Sequence, residues 1–169
     1  MEDADNVIRS CSMEEKDRIY HVVNDAALAY EGFIPPDRYQ APYMPMMQLL
    51  AEMAEMTMFG WIEEGQLVGV MSHQPVKDVT LIRHAYVLNA FQKKGIGSRL
   101  LDHIIAMTST QQLLVGTWAA ATWAVAFYEG HGFRMMPNKD ELLRTYWHVP
   151  DRQIETSVVL GLELPGLPD

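Results

Sequence analysis

Apolar residues recur along the chain with two periods, and the switch between them outlines the elements. Ile19, Val22, Val23, Ala26, Ala27 and Tyr30 keep the three-and-four spacing of a helix. Ser12 and Glu15, just ahead, have the spacing of a capping box, and residues 6–11 before them read as a first strand. Met46, Leu49, Leu50 and Met53 mark a second helix, with Pro45 suited to its start. Residues 57–62 and 67–72, joined by Glu63-Glu64-Gly65-Gln66, predict a β-hairpin, and 79–88 a third strand. Over 97–107, Leu100, Leu101, Ile104 and Ile105 form one stripe while Arg99, Asp102 and His103 fall opposite, so a helix is expected. Residues 113–118 suit a buried strand, 122–129 a short helix ending at Gly130, and Asn138 caps another through Tyr146. Ile154, Thr156, Val158, Leu160, Leu162 and Leu164 share one parity and predict a final strand. Helices and strands alternate, so the fold class is α/β in the mixed α+β sense, one domain over 1–169.

Composition narrows the function. Thirteen basic against 22 acidic residues give a net charge of −9, which disfavours a broad nucleic-acid surface but permits a small basic pocket. With 49% hydrophobic residues among 169, a core can form without disulfides or metals. Cys11 is the single cysteine, so no intrachain disulfide or thiolate cluster is possible and the cytoplasm is the expected compartment. The acidic N-terminal segment does not read as a secretory signal. Residues 104–128 carry no Asp, Glu, Lys, Arg or His, yet the polar run Thr108-Ser109-Thr110-Gln111-Gln112 interrupts them, so a membrane span is not expected. Six of the 12 methionines lie between Met44 and Met58, read as an adaptable core face in preference to a substrate wall.

The segment between the third strand and the following helix carries the chemistry. Gln92-Lys93-Lys94-Gly95-Ile96-Gly97-Ser98 places two glycines and two lysines where a helix begins. Glycines let backbone N–H groups converge and the helix start adds a positive dipole end, a combination suited to an anion. A dinucleotide fingerprint is missing its third glycine, because Leu100 stands there, and no Gly-Lys is followed by Ser or Thr as a nucleoside-triphosphate loop requires.

Residues 87–97, Val-Leu-Asn-Ala-Phe-Gln-Lys-Lys-Gly-Ile-Gly, resemble the acyl-CoA-binding motif of the GNAT-superfamily N-acetyltransferases, Gln/Arg-x-x-Gly-x-Gly/Ala. Residues 124–133, Ala-Val-Ala-Phe-Tyr-Glu-Gly-His-Gly-Phe, resemble the family's second signature, a Tyr-bearing helix ending in Gly-Phe. The resemblance runs from about residue 6 to 164. It implies a GNAT-like mixed, mostly antiparallel sheet flanked by helices, and acetyl transfer from acetyl-CoA to a primary amine of a small molecule or peptide. In that scheme the loop from Gln92 to Ser98 holds the pyrophosphate, a backbone N–H near Val87 polarises the thioester, and Tyr128 protonates the leaving thiolate.

The general base is open. Strand parity with Val87 selects Leu81, Arg83 and Ala85, none of them a base, and His84 faces away unless a bulge intervenes. His84, or a water chain anchored by His73, Glu31 or a carbonyl, are the alternatives; Arg83 is either an ion-pair partner or a clamp for a substrate carboxylate. Asn89 stands where the family commonly has proline. Ala121 stands where Asn often contacts the cofactor arm, with Thr122 the nearest substitute. The acidic surface favours a cationic acceptor, an exposed final strand is compatible with a homodimer by analogy, and an acyl-CoA sensor without turnover is the alternative function.

Overall fold

The computed structural model describes residues 6–165. Seven strands, β1 (Val7–Ser10), β2 (Thr57–Glu63), β3 (Gln66–Val76), β4 (Val79–Val87), β5 (Gln112–Trp118), β6 (Arg134–Met135) and β7 (Ser157–Glu163), form one sheet in the order β1-β2-β3-β4-β5-β7-β6. Every neighbouring pair is antiparallel except β4 with β5. Six helices accompany them: α1 (Lys16–Ala27), α2 (Met46–Met53), α3 (Ile96–Met107), α4 (Thr122–Gly130), α5 (Lys139–Leu142) and α6 (Asp151–Thr156).

Alternation along the central strands sorts side chains between two cores. Ile82, Leu113 and Val115 face one layer with α1 and α3, whereas Leu81 and Leu114 face the other with Leu143 and Ile154. Helix α3 buries Leu100, Leu101 and Ile104 of its predicted stripe and adds Ile96, while Ile105 is only partly buried, and each fully buried leucine is worth about 1.5–3 kcal/mol. Ser12 and Glu15 form the expected capping box, Glu15 accepting from the Ser12 backbone N–H at 3.2 Å. Of the methionine cluster, Met44 and Met58 are buried, Met46 and Met53 pack against the core, and Met47 is exposed.

One pairing matters most for function. The parallel register of β4 and β5 holds for only three pairs, Thr80 with Leu113, Leu81 with Leu114 and Ile82 with Val115. Beyond Ile82 the strands part, and β5 continues with β7 alone through Gly116, Thr117 and Trp118. The resulting gap opens the middle of the sheet.

Three expectations are corrected. Ile154 and Thr156 belong to α6, which starts after Pro150, so the last strand begins at Ser157. That strand is not an exposed edge, because β6 pairs with Leu160 and Gly161 on the side away from β5. The helix after Asn138 is α5 for one turn and then widens into a π-helical turn over Leu143–Trp147. The uncharged stretch 104–128 divides into the end of α3, strand β5 and most of α4; among the described residues no helix is long and apolar enough to cross a membrane.

Candidate active site

The gap is lined on one side by an irregular stretch of β4. Met71 pairs with Ala85 but His73 pairs with Ile82, so Arg83 and His84 together oppose Ser72 in a β-bulge. The Ser72 hydroxyl accepts the His84 backbone N–H at 3.1 Å, giving the displaced amide a partner. The bulge overturns the simple parity that turned His84 away: both side chains reach the same carboxylate, Glu52 of α2. His84 Nε2 lies 3.0 Å from Glu52 Oε2 and Arg83 Nη2 lies 3.9 Å from Oε1. The closer contact is an ion-pair approach, since neither atom has a well-directed hydrogen bond. Burial pushes the Glu52 carboxyl up, but His84 and the Arg83 charge outweigh it and hold the group below the usual carboxylate range. Arg83 is held further by Nη1 donating to Gln74 Oε1 at 3.1 Å.

Tyr128, in the last turn of α4, is 4% exposed and packs against Phe127 and Phe133. Burial pushes its phenol well above the ordinary value, with Tyr30 adding to the shift. Tyr128, His84, Arg83 and Glu52 all line one cavity of about 310 Å³. Tyr30, Tyr43 and Tyr86 line it as well, each raised by burial first. Trp118 donates through Nε1 to the Tyr43 hydroxyl at 2.8 Å, and Gly116 admits the Trp147 indole, whose ring a Cβ there would meet at 3.3 Å.

The backbone of β4 supplies donors to the same gap. Leu88 N–H donates to Val68 O at 2.9 Å. Antiparallel alternation therefore pairs Tyr86 with Val70 and directs the N–H groups of Ala85 and Val87 away from β3, toward the opening. Val87 O accepts from Gln92 Nε2 at 3.1 Å, which anchors the loop to the strand.

The loop ends in a left-handed Gly95 (φ 82°) that caps α3, with Lys93 also at positive φ (65°). No acidic residue stands in the first turn of α3, Lys93 and Lys94 are exposed, and Lys94 lies over Phe91. The chemistry suits a phosphorylated ligand. Ile96 can offer only its backbone, because its side chain is in the core; Gly97 faces Phe127; Ser98 Oγ lies 3.0 Å from His131 Nε2. Asn89 turns its departure from proline to use: its N–H donates to Asp25 Oδ2 at 2.8 Å and its Nδ2 to Asp25 O at 2.7 Å, tying the loop to α1. Thr122 is exposed on the first turn of α4 beside a fully buried Ala121, apart from the cavity lining. Sequence reasoning missed Glu52, although it is the single charged residue of α2, a signal that was available. It also missed Arg38, Tyr43 and Trp118, brought in from distant segments.

The profile of the Acetyltransferase (GNAT) domain matches residues 13–150. No curated protein matches the chain. Among solved structures, a PaiA N-acetyltransferase from Thermoplasma acidophilum in complex with coenzyme A is similar at 14% identity and TM-score 0.75, over 94% of this chain and 99% of that one. The ribosomal-protein-S18-alanine N-acetyltransferase from Escherichia coli is similar at 18% identity and TM-score 0.69, over 97% and 96%. A GNAT family acetyltransferase from Elizabethkingia anophelis with acetyl-CoA bound is similar at 19% identity and TM-score 0.63, over 96% and 100%. With the profile spanning most of its length and both motifs flanking the gap in the sheet, the chain belongs to the GNAT acetyltransferase family.

Proposed function

We propose that the protein transfers the acetyl group of acetyl-CoA to a primary amine of a small molecule or peptide by direct attack in a ternary complex. The observation that carries this reading is the presence of Tyr128 and the His84–Glu52 pair in one cavity at the gap between β4 and β5. Coenzyme A and acetyl-CoA in two of the similar structures support the donor.

The loop from Gln92 to Ser98 would hold the pyrophosphate by backbone N–H groups at the start of α3, with Lys93 and Lys94 adding charge. The pantetheine arm would run along the free side of β4, where the Ala85 and Val87 amides point, and Val87 N–H would polarise the thioester carbonyl. His84, oriented by Glu52, accepts the proton of the acceptor ammonium. The amine nitrogen forms its bond to the carbonyl carbon, the carbon–sulfur bond breaks, Tyr128 gives its proton to the thiolate, and the second proton shed by the nitrogen as it becomes an amide returns the phenolate to phenol. Burial keeps that phenol protonated at neutral pH, and a thiolate released into the same environment is made more basic for the same reason. A sensor without turnover has no use for a histidine set against a carboxylate in the same cavity as a protonated phenol.

An amine panel read by thiol release from acetyl-CoA tests the reading. Tyr128→Phe should lower kcat by about 100-fold or more while acetyl-CoA still binds. Unchanged turnover in that variant removes Tyr128 from the acid role, and donor binding with no turnover on any amine returns the sensor.

A further inference from the structure

We infer that Arg38 reads a carboxylate on the acceptor, so that the preferred substrates are small amino-carboxylates, free amino acids above all, and not polyamines. The inference rests on the acetylation reading above and names the substrate class of that same cavity.

The cavity holds two guanidinium groups, Arg38 and Arg83, against one carboxylate, Glu52. Glu52 is already occupied, one oxygen toward His84 and the other toward Arg83. Arg83 is occupied in turn by Gln74 and Glu52. Arg38 is different. Among the described residues no carboxylate forms an ion pair with it, and its neighbour Asp37 pairs with Arg152 on the outer surface instead. Its Nη2 donates to Gln153 Oε1 at 3.2 Å and its guanidinium lies 6.0 Å from the Trp118 ring centroid, contacts that orient the group. Its Nε is buried with no hydrogen-bond partner. A planar fork without a carboxylate partner, fixed at the wall of a ligand cavity, suits the two oxygens of a carboxylate.

Charge and size point the same way. The net charge of −9 attracts cations from a distance, but exposed charges are screened within a Debye length of about 8 Å. An unpaired guanidinium at contact range prevails inside the cavity, where a second ammonium of a polyamine would meet it unfavourably. The volume of about 310 Å³ is at the small end for ligand sites, which favours an acceptor of few heavy atoms. With its carboxylate on Arg38, an amino acid keeps its ammonium for the His84–Glu52 pair.

The test compares each of a panel of free amino acids with its own primary amide and with spermidine, using wild-type protein, Arg38→Gln and Arg38→Lys. Wild-type protein should prefer the free acid, although the amide has the more readily deprotonated amine. Arg38→Gln should raise KM for the acid roughly 10- to 100-fold with kcat little changed, leave the amide's KM unchanged, and be partly rescued in Arg38→Lys. Equal use of acid and amide by wild-type protein, preference for spermidine, or equal loss for acid and amide in a variant that melts like wild type overturns the inference and leaves acetylation standing. Calorimetry of the same amino acids into the protein with coenzyme A present separates the two readings. Arg38-dependent binding without turnover upholds the inference and sinks acetylation; no binding of any amino acid overturns the inference.

Discussion

His84 Nε2 stands 3.0 Å from Glu52 Oε2, a contact that joins the bulge of the fourth strand to the second helix. Two elements remote in sequence thereby fix one imidazole at the gap in the sheet. Neither residue performs this alone, which separates their expected phenotypes.

His84→Gln should lower kcat by about 100-fold, the ordinary range for loss of a general base. Glu52→Gln should lower it by about 10-fold, as expected for a group that orients another. Donor affinity should hold in both. Full kcat in His84→Gln at saturating amine would assign the proton to another acceptor.

Gly95 has φ 82°, and a Cβ added there would meet no atom within 4 Å, so backbone conformation alone sets the cost of a side chain. Gly95→Ala should cost about 1 kcal/mol in urea denaturation, and Gly95→Asn less, because Asn tolerates the left-handed region. Equal stability of all three would show that the loop does not need this conformation.

Lys93→Ala and Lys94→Ala should each weaken acetyl-CoA binding about two- to fivefold at low salt, the scale of exposed charge pairs. The difference from wild type should shrink as salt rises. A loss that persists in high salt would argue for a packed contact instead.

The His73 ring stacks on Phe59 at 5.5 Å, its Nδ1 is buried without a partner, and burial together with nearby His103 lowers its pKa. The unfolded chain therefore takes up the proton first on acidification. His73 contributes its full stability above pH about 6.5, and that contribution falls as pH drops below this value through the lower folded pKa. His73→Phe should flatten that part of the profile in denaturation measured from pH 7.5 to 5; an unchanged slope would exclude His73 as its source.

Helix α3 and strand β5 were legible because their apolar patterns admit one period each, and the loop before α3 because glycine and lysine cluster at a helix start. Ile154 and Thr156 misled because a two-residue and a four-residue spacing coincide over so short a helix, and Pro150 was the better guide. The bulge at Arg83 and His84 was illegible for another reason. It depends on Ser72 across the ladder, a relation between strands that no local pattern encodes. Arg38 and Glu52 entered the cavity by tertiary folding: the proline-rich stretch from Phe33 to Pro45 reads as a loop that could line a site, and α2 as a packing helix, but no local pattern says which of their side chains turn inward.

The parting of β4 and β5 after three paired residues leaves the Ala85 and Val87 amides without a strand to bond. A donor lying there, as proposed, would act as the strand the chain omits and link occupancy to folding thermodynamically. Resistance to unfolding should therefore rise with donor concentration by RT ln(1 + [L]/Kd), about 2.7 kcal/mol at a hundredfold excess over Kd. In a cell, the lifetime of this protein would then follow the acetyl-donor supply even when no acceptor is present.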